Sequence, residues 1–460
     1  MEFLLDNEPA EEVAIRVKVP VRPPQLDALL AGLGPADLVR VLTNIAPVDR
    51  KGRYLHWDDM RNRTPPTDVS HDQWWLGTTF ARRAVARDLS LQASDGSAFR
   101  FCNIGPIQEV VHRIDQQASG RILADGLVAN LRSSDRYLVS SLVEEAITSS
   151  QLEGASTTRQ VAKQLLATGR KPRDRSEQMI VNNYQAIVFA QELASRPLTP
   201  TDVLDLHRLV TADALDDPND AGRLQGADEE RIAVYSHDNT LLHAPPVADE
   251  LPERLASMCR FANGEATGGF IHPVVRAIIL HFWLAHDHPF VDGNGRTARA
   301  LFYWAMLHQG YWLTQYLTIS SILREAPAQY ARSFLLTETD DNDLTYFVIY
   351  QLDVIERAIS SLHDYLARKT AENRELEALL NGSPHLNHRQ LTVIRDALRD
   401  PSEPFTAIAQ GRRHRVSTES ARSDLLGLER LHLLSKERVS KKFVFRAVPD
   451  LPAKLRHLSS

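Results

Sequence analysis

Apolar residues recur at helical spacing through most of the chain. Leu138, Leu142, Val143, Ala146 and Ile147 fall on one face of a segment spanning 134–151, and Gly154 stands where such a helix would stop. The same period predicts helices over 175–194, 247–263, 273–286, 297–308 and 344–374, and another over 201–213 behind the helix-start residues Thr199, Pro200, Thr201 and Asp202. Between 216 and 246 the helical period is lost. There Ile232, Val234 and Tyr235 alternate and are separated from Leu241 and Leu242 by the polar run Ser236, His237, Asp238, Asn239, which predicts a β-hairpin. Residues 1–122 are mixed, punctuated by Pro20, Pro23, Pro24, Pro65 and Pro66, and read as several short elements. The pattern predicts a mainly α chain with one hairpin in its middle.

A break at Gly382, Ser383 and Pro384 precedes a different pattern. Leu391, Ile394 and Leu398 mark one helix, 405–409 suggests a short second, and Ser417 caps a third carrying Ala421, Leu425, Leu428 and Leu431. A basic turn then separates Leu433 and Leu434 from Phe443, Val444 and Phe445. Three helices and a strand pair with a charged tip resemble a winged helix-turn-helix. This stretch holds 15 Lys and Arg against 8 Asp and Glu, a local charge of +7 within a chain of net charge −6. Arg412, Arg413, Arg415, Arg422, Arg430, Lys436, Lys441 and Lys442 cluster around the third helix and the wing, a footprint that suits DNA phosphates as well as it suits a protein-docking module. The expected organisation is a leading region (1–122), a helical core (123–375) and a C-terminal module (385–460).

Composition narrows the class. With 460 residues, 43% hydrophobic and 24% charged, and no repeat, disordered and fibrous chains are excluded. Glu2, Asp6 and Glu8 make the start acidic, with no export signal, and the longest apolar run, 277–284, is interrupted by His281 and too short to span a membrane. Two cysteines, Cys102 and Cys259, make neither a disulfide framework nor a CxxC metal pair, so a reducing cytoplasm is expected.

The chemistry concentrates in 288–299, HPFVDGNGRTAR, between two predicted helices. Gly293, Asn294 and Gly295 form a glycine-rich turn at a helix start, where converging N–H groups make an anion site, and Thr297 and Ala298 are counted among the phosphate-binding positions. Arg296 and Arg299, three apart on the first turn, suit phosphate oxygens. Asp292 is a hard oxygen ligand of the kind Mg2+ uses alongside substrate phosphates. His288, with an ordinary pKa near 6.5, is the residue of this segment able to accept a proton near neutrality. Base, metal ligand and phosphate cradle in one segment imply phosphoryl or nucleotidyl transfer.

These residues resemble the signature of the Fic family, HxFxxGNGRxxR, at His288, Phe290, Gly293, Asn294, Gly295, Arg296 and Arg299, with Asp292 as the customary acid. The lysine-containing loop of Doc-type kinases is different, and GNGR resembles the branch that transfers AMP. Residues 149–154, SSQLEG, resemble the family's inhibitory motif [ST]xxxE[GN] through Ser149, Glu153 and Gly154. The resemblance implies a Fic-type helical bundle with a hairpin flap, and a Glu153 that pairs with Arg299 in place of the ATP γ-phosphate.

Further expectations follow from the resemblance. ATP is the substrate with Mg2+ as cofactor, a target-protein hydroxyl docks along the flap by strand addition, and Thr240, Leu241, Leu242 and His243 border the nucleotide. Gly222, Arg223 and Leu224 resemble the flap's lead-in. Tyr330 falls in a segment like the adenine-side helix, with Asp340, Asp341 and Asn342 all candidates for the adenine edge. His56, Trp57 and Asp58 resemble the leading region of longer bacterial members, and Trp74 and Trp75 are read as packing aromatics. The expected reaction is protein adenylylation: His288 takes a hydroxyl proton, the oxygen attacks the α-phosphorus, Asn294 and the glycine amides stabilise its growing charge, and Arg296 and Arg299 hold the outer phosphates. Two other readings stay open: removal of AMP, with Glu153 orienting a water, and a DNA-binding regulator with a nucleotide-sensing core. A homodimer is a family-level expectation.

Overall fold

A computed structural model describes residues 17–118, 131–236, 240–265, 269–381, 386–399, 401, 403–439 and 442–458. The acidic start (Glu2, Asp6, Glu8), the hairpin tip His237, Asp238 and Asn239, the Gly382, Ser383, Pro384 break, Lys441 and the boundary at 122/123 lie outside them. The chain divides into two compact units, Met1–Ser360 and Ser361–Ser460.

In the first unit, helices α1 (Leu26–Ala31), α2 (Pro35–Asn44), α3 (Trp57–Met60) and α4 (His71–Arg83) lead into an antiparallel pair, β1 (Ala86–Gln92) and β2 (Ala98–Cys102), with Ala86 opposite Cys102. A Ser70–Gln73 capping box starts α4, and Trp74 and Trp75 from its first turn are buried with Leu55 and Met60. The expected packing role of both tryptophans is what the structure shows. Helices α5 (Gly105–Ala118), α6 (Leu131–Leu152), α7 (Arg159–Thr168), α8 (Arg175–Leu193) and α9 (Pro200–Thr211) follow. The predicted hairpin is present as β3 (Val234–Tyr235) and β4 (Leu241–His243), Val234 facing His243. Then come α10 (Leu251–Ala262), α11 (Pro273–Asp287), α12 (Asn294–His308), α13 (Ile319–Glu325), α14 (Pro327–Thr339) and the start of α15 (Thr345–Asn381), which continues past the end of this unit at Ser360.

Helices α11 and α12 form the centre. Every residue of α11 from Ala277 to Leu284 is buried, as are Asn294 and Arg296 through Met306 of α12, so both are enclosed on all sides rather than amphipathic. His281 sits in that core, hydrogen-bonded through Nε2 to the Tyr330 hydroxyl at 2.8 Å, and burial pushes its pKa down to about 3. Among the described residues no helix is long and apolar enough to cross a membrane. A second buried polar knot lies at the end of α4. The Arg82 guanidinium donates to the Pro47 carbonyl (3.0 Å), the Leu55 carbonyl (2.8 Å) and the Tyr346 hydroxyl (2.7 Å), and lies 3.6 Å over the Tyr54 ring.

In the second unit, α16 (His388–Arg399), α17 (Ala407–His414) and α18 (Thr418–Arg430) precede an antiparallel pair, β5 (Leu434–Val439) and β6 (Lys442–Ala447), and a last helix α19 (Leu451–Leu458). Ser417 caps α18 as expected, its hydroxyl accepting from the Ser420 N–H at 3.1 Å. The short helix expected over 405–409 begins later. Thr406 caps it, so Phe405 falls outside and exchanges both backbone hydrogen bonds with Phe445, at 2.8 and 2.9 Å.

Candidate active site

The site grows from the junction of α11 and α12. His288 ends α11 in a left-handed conformation, φ 44°, unusual for a residue with a Cβ. Its Nδ1 lies 3.3 Å from the Ala285 carbonyl, so a proton on that nitrogen leaves Nε2 with the lone pair a base needs. Burial lowers its pKa to about 4, which keeps the ring neutral at physiological pH. Arg231 steadies the turn from outside by donating to the Asp287 and His288 carbonyls at 2.7 and 3.0 Å.

The loop that follows is shaped by inward hydrogen bonds. Asn294 accepts from the Phe290 N–H (3.0 Å) and donates to the Phe290 carbonyl (2.8 Å), closing the turn on itself. Gly293 has φ 85°, and a Cβ there would meet Thr211 at 2.7 Å and the His207 ring at 3.3 Å. His207 stacks on Phe290 with ring centres 3.7 Å apart, accepts the Gly222 N–H at Nδ1 (3.0 Å) and donates from Nε2 to the Asp292 carbonyl (2.8 Å). Both of its nitrogens are thus assigned, and burial pushes its pKa down to about 4.

Asp292 is half-exposed. Burial alone would raise its pKa, but Arg296, the Gly293 N–H and Arg175 together hold it below the ordinary carboxylate value, so it is ionised. Arg296 donates to it at 3.2 Å and Arg175, at the start of α8, also at 3.2 Å.

Arg299 is buried and aimed at α6. Its Nε donates to the Ser149 hydroxyl (2.8 Å), and its Nη2 to the Ser149 carbonyl (3.0 Å) and to Glu153 Oε1 (2.7 Å). The Glu153 carboxylate rests directly against Gly295, where any Cβ would collide with it. An anion therefore already lies over the first turn of α12, where helix-end N–H groups attract negative charge. Gly154, φ 89°, turns the chain out of α6 behind it. One turn and two turns earlier on α6, Ser149 and Glu145 share this face. Glu145 is buried and accepts from the Ser320 N–H at 3.0 Å, which fixes α6 against α13.

Some expected residues are placed differently from their expected roles. Arg296 does not share an open face with Arg299: it is 1% exposed and donates to the Val210 carbonyl at 3.2 Å, because α9 packs over that side of α12. Thr297 and Ala298 have fully buried side chains, Thr297 donating to the Gly293 carbonyl at 2.8 Å, so only their main chain belongs to the helix start. Thr240 carries the carbonyl that accepts from the Ser236 N–H (2.9 Å), Leu241 is exposed, and Leu242 and His243 are half-buried. His243 has both ring nitrogens engaged, by the His286 carbonyl at 2.7 Å and Glu338 at 3.0 Å. Tyr330 is half-buried against His281 and near Arg299. Asp340, Asp341 and Asn342 face the Tyr346 hydroxyl, Arg83 and Ser97. Arg175, His207, Arg231 and Glu145 carry no signal in the spacing, since each reaches its partner from a distant segment.

Residues 197–306 match the family model described as Fic/DOC family. The chain carries a Fic domain. Curated relatives match over about a quarter of this chain. "Protein adenylyltransferase Fic" of Drosophila ananassae is 35% identical over 114 residues, 25% of this chain and 20% of the relative. "Protein adenylyltransferase fic-1" of Caenorhabditis briggsae is 40% identical over 111 residues, 24% of this chain and 19% of the relative. The Fic match thus spans about a fifth of the length of these relatives. Among solved structures, a Fic family protein from Desulfovibrio desulfuricans superposes with TM-score 0.48 at 19% identity, covering 75% of this chain and 97% of that one. Fic-1 from C. elegans does so with TM-score 0.43 at 25% identity, covering 58% and 72%.

Proposed function

We propose that the chain is a protein adenylyltransferase that holds itself inactive through Glu153. The observation that carries this reading is the Glu153 carboxylate on Arg299, 2.7 Å away, and against Gly295 at the start of α12. A triphosphate needs the donors that this carboxylate occupies, and two anions there repel. With Glu153 withdrawn, Arg299 and the α12 amides take the outer phosphates, and His288 Nε2 receives the proton of a Ser, Thr or Tyr hydroxyl on the target. The hydroxyl oxygen then bonds to the ATP α-phosphorus as the bond to pyrophosphate breaks. Asn294 and Arg296 act by holding the loop in shape, so catalysis rests on positioning and electrostatics. The flap's exposed Val234, Tyr235 and Leu241 offer the edge on which an extended target segment adds.

Asp292 fits Mg2+: it is ionised, half-exposed and a hard oxygen donor, in keeping with a metal that takes one or two carboxylates and completes its shell with phosphates. The ion would neutralise phosphate charge. The second unit reads as a winged helix-turn-helix, supported by the Phe405–Phe445 pairing beside β5 and β6, with exposed Arg412, Arg415, Arg422 and Arg430 suited to DNA phosphates. Buried, unpaired Cys102 and Cys259 suit a reducing cytoplasm.

The test uses ATP labelled on the α- or γ-phosphate, Mg2+ and cell extract, with wild type, Glu153→Gly and Glu153→Gly/His288→Ala. Protein-bound α label that rises with the first change and vanishes with the second supports the reading. Transfer of γ label shows a kinase. Release of AMP from a modified protein, without net labelling, shows the reverse reaction.

A further inference from the structure

The flap strand β4 ends on a cluster that the reaction above does not use. One ring nitrogen each of His243 and His286 and a carboxylate oxygen of Glu338 lie within 4.8 Å of one another. They come from β4, from the last turn of α11 and from the last turn of α14. Their side chains are enclosed, with relative exposures of 11%, 4% and 20%.

The hydrogen bonds around the cluster leave a place for a cation. His243 Nε2 lies 2.7 Å from the His286 carbonyl, an acceptor that fixes the proton on that nitrogen. Nδ1 then presents its lone pair to Glu338 Oε1, 3.0 Å away. A lone pair and a carboxylate oxygen at that distance require a positive centre between them, either a proton or a metal ion. A ring nitrogen anchored on a main-chain carbonyl is also how ligating histidines are held in position. His286 is packed between Phe99 and Phe282, and its Nδ1 lies 3.4 Å from Asp287 Oδ1. A proton shared between His243 and Glu338 makes no use of that ring, whereas a metal ion does.

We propose that His243, His286 and Glu338 form a Zn2+ site that fastens the flap to the helical core. Two imidazoles and one carboxylate are a nitrogen-rich set that favours zinc over Mg2+, with the fourth position left to water. Tetrahedral bonds of about 2.0–2.1 Å place ligand atoms roughly 3.3 Å apart. His243 and Glu338 already lie near that spacing at 3.0 Å, and the His286 nitrogen lies within 4.8 Å of both. Bound metal would tie β4 to the turn that carries His288, two residues beyond His286. It would set how firmly the target-docking edge is held, separately from the Mg2+ proposed at Asp292.

The experiment strips the full-length protein with a chelator, then titrates Zn2+ by calorimetry and Co2+ by visible absorption, with excess Mg2+ present to occupy oxygen-only sites. The expected result is one-to-one Zn2+ uptake, a Co2+ spectrum of tetrahedral intensity, a rise in melting temperature with Zn2+, and at least tenfold weaker binding in His243→Ala and in the near-isosteric Glu338→Gln. Absence of one-to-one uptake by the wild type overturns the proposal. So does uptake that neither substitution weakens, or a His243 ring that still carries both protons by nitrogen NMR when equimolar Zn2+ is present.

Discussion

Two arginines, Arg82 and Arg299, are both buried against acids, yet they are held in opposite ways. Arg82 is surrounded by groups that cannot leave: two main-chain carbonyls, the Tyr346 hydroxyl and the Tyr54 ring, with Asp340 3.9 Å away. Arg299 is satisfied by Ser149 and by one carboxylate, Glu153, whose side chain is 30% exposed. The first arrangement locks the leading region onto α15. The second pairs a buried cation with a partly exposed carboxylate, the partner that gives way to nucleotide phosphate on the function proposed above. Burial of the cation is common to both pairs; the exposure of the counter-ion is what differs.

The largest effect expected is at the base. His288→Ala, made in the Glu153→Gly background, should lower AMP transfer by about 10²–10⁴-fold with nucleotide binding retained, measured by label transfer and by calorimetry with ATP. Arg82→Ala should cost roughly 3–5 kcal/mol of unfolding free energy in denaturant titration, because the two carbonyls and the Tyr346 hydroxyl lose their donor and Asp340 loses its nearby cation. An Arg82→Ala protein of normal stability would erase the contrast.

Glu153→Gly should raise transfer by about 5–150-fold, the range of ordinary coupling energies, and shift stability by under about 1 kcal/mol because the carboxylate is partly exposed. The smallest effects concern pH. With the His288 pKa lowered to about 4, transfer by Glu153→Gly should persist as pH falls below 6.5, and its rate profile should bend only well below pH 6. Stability moves the other way. His56, His207, His281 and His288 have folded values of about 3 to 4 against an ordinary 6.5, so the unfolded chain binds more protons in that window. Stability should therefore fall as pH drops through 6.5 toward 4, read by denaturant titration at each pH.

The site was legible in the sequence where its parts are local. The loop from His288 to Arg299 and the Ser149, Glu153, Gly154 triplet each lie in a short stretch of sequence, and the pairing of Glu153 with Arg299 was implied by the resemblance of both to the Fic family's motifs. The outlines of α6, α8, α9, α11, α12 and α15 followed from their apolar period, and the β3–β4 hairpin from its loss. Direction was harder to see. Arg296 and Asn294 looked like phosphate ligands by type, but α9 packs over one and the Phe290 main chain engages both ends of the other. His207, Arg175 and Arg231 were invisible because 56 to 117 residues separate them from the Asp287, His288 and Asp292 atoms they hold. The β1–β2 pair hid in a leading region without clear alternation, and Phe405 looked helical until its pairing with Phe445 placed it before the Thr406 cap.

The exchangeable counter-ion is tested most directly by following AMP transfer and unfolding on one preparation of Glu153→Gly beside wild type. Transfer should rise by about 5–150-fold at nearly unchanged unfolding free energy. Transfer equal to wild type, or a gain that appears only with a large loss of stability, would contradict it.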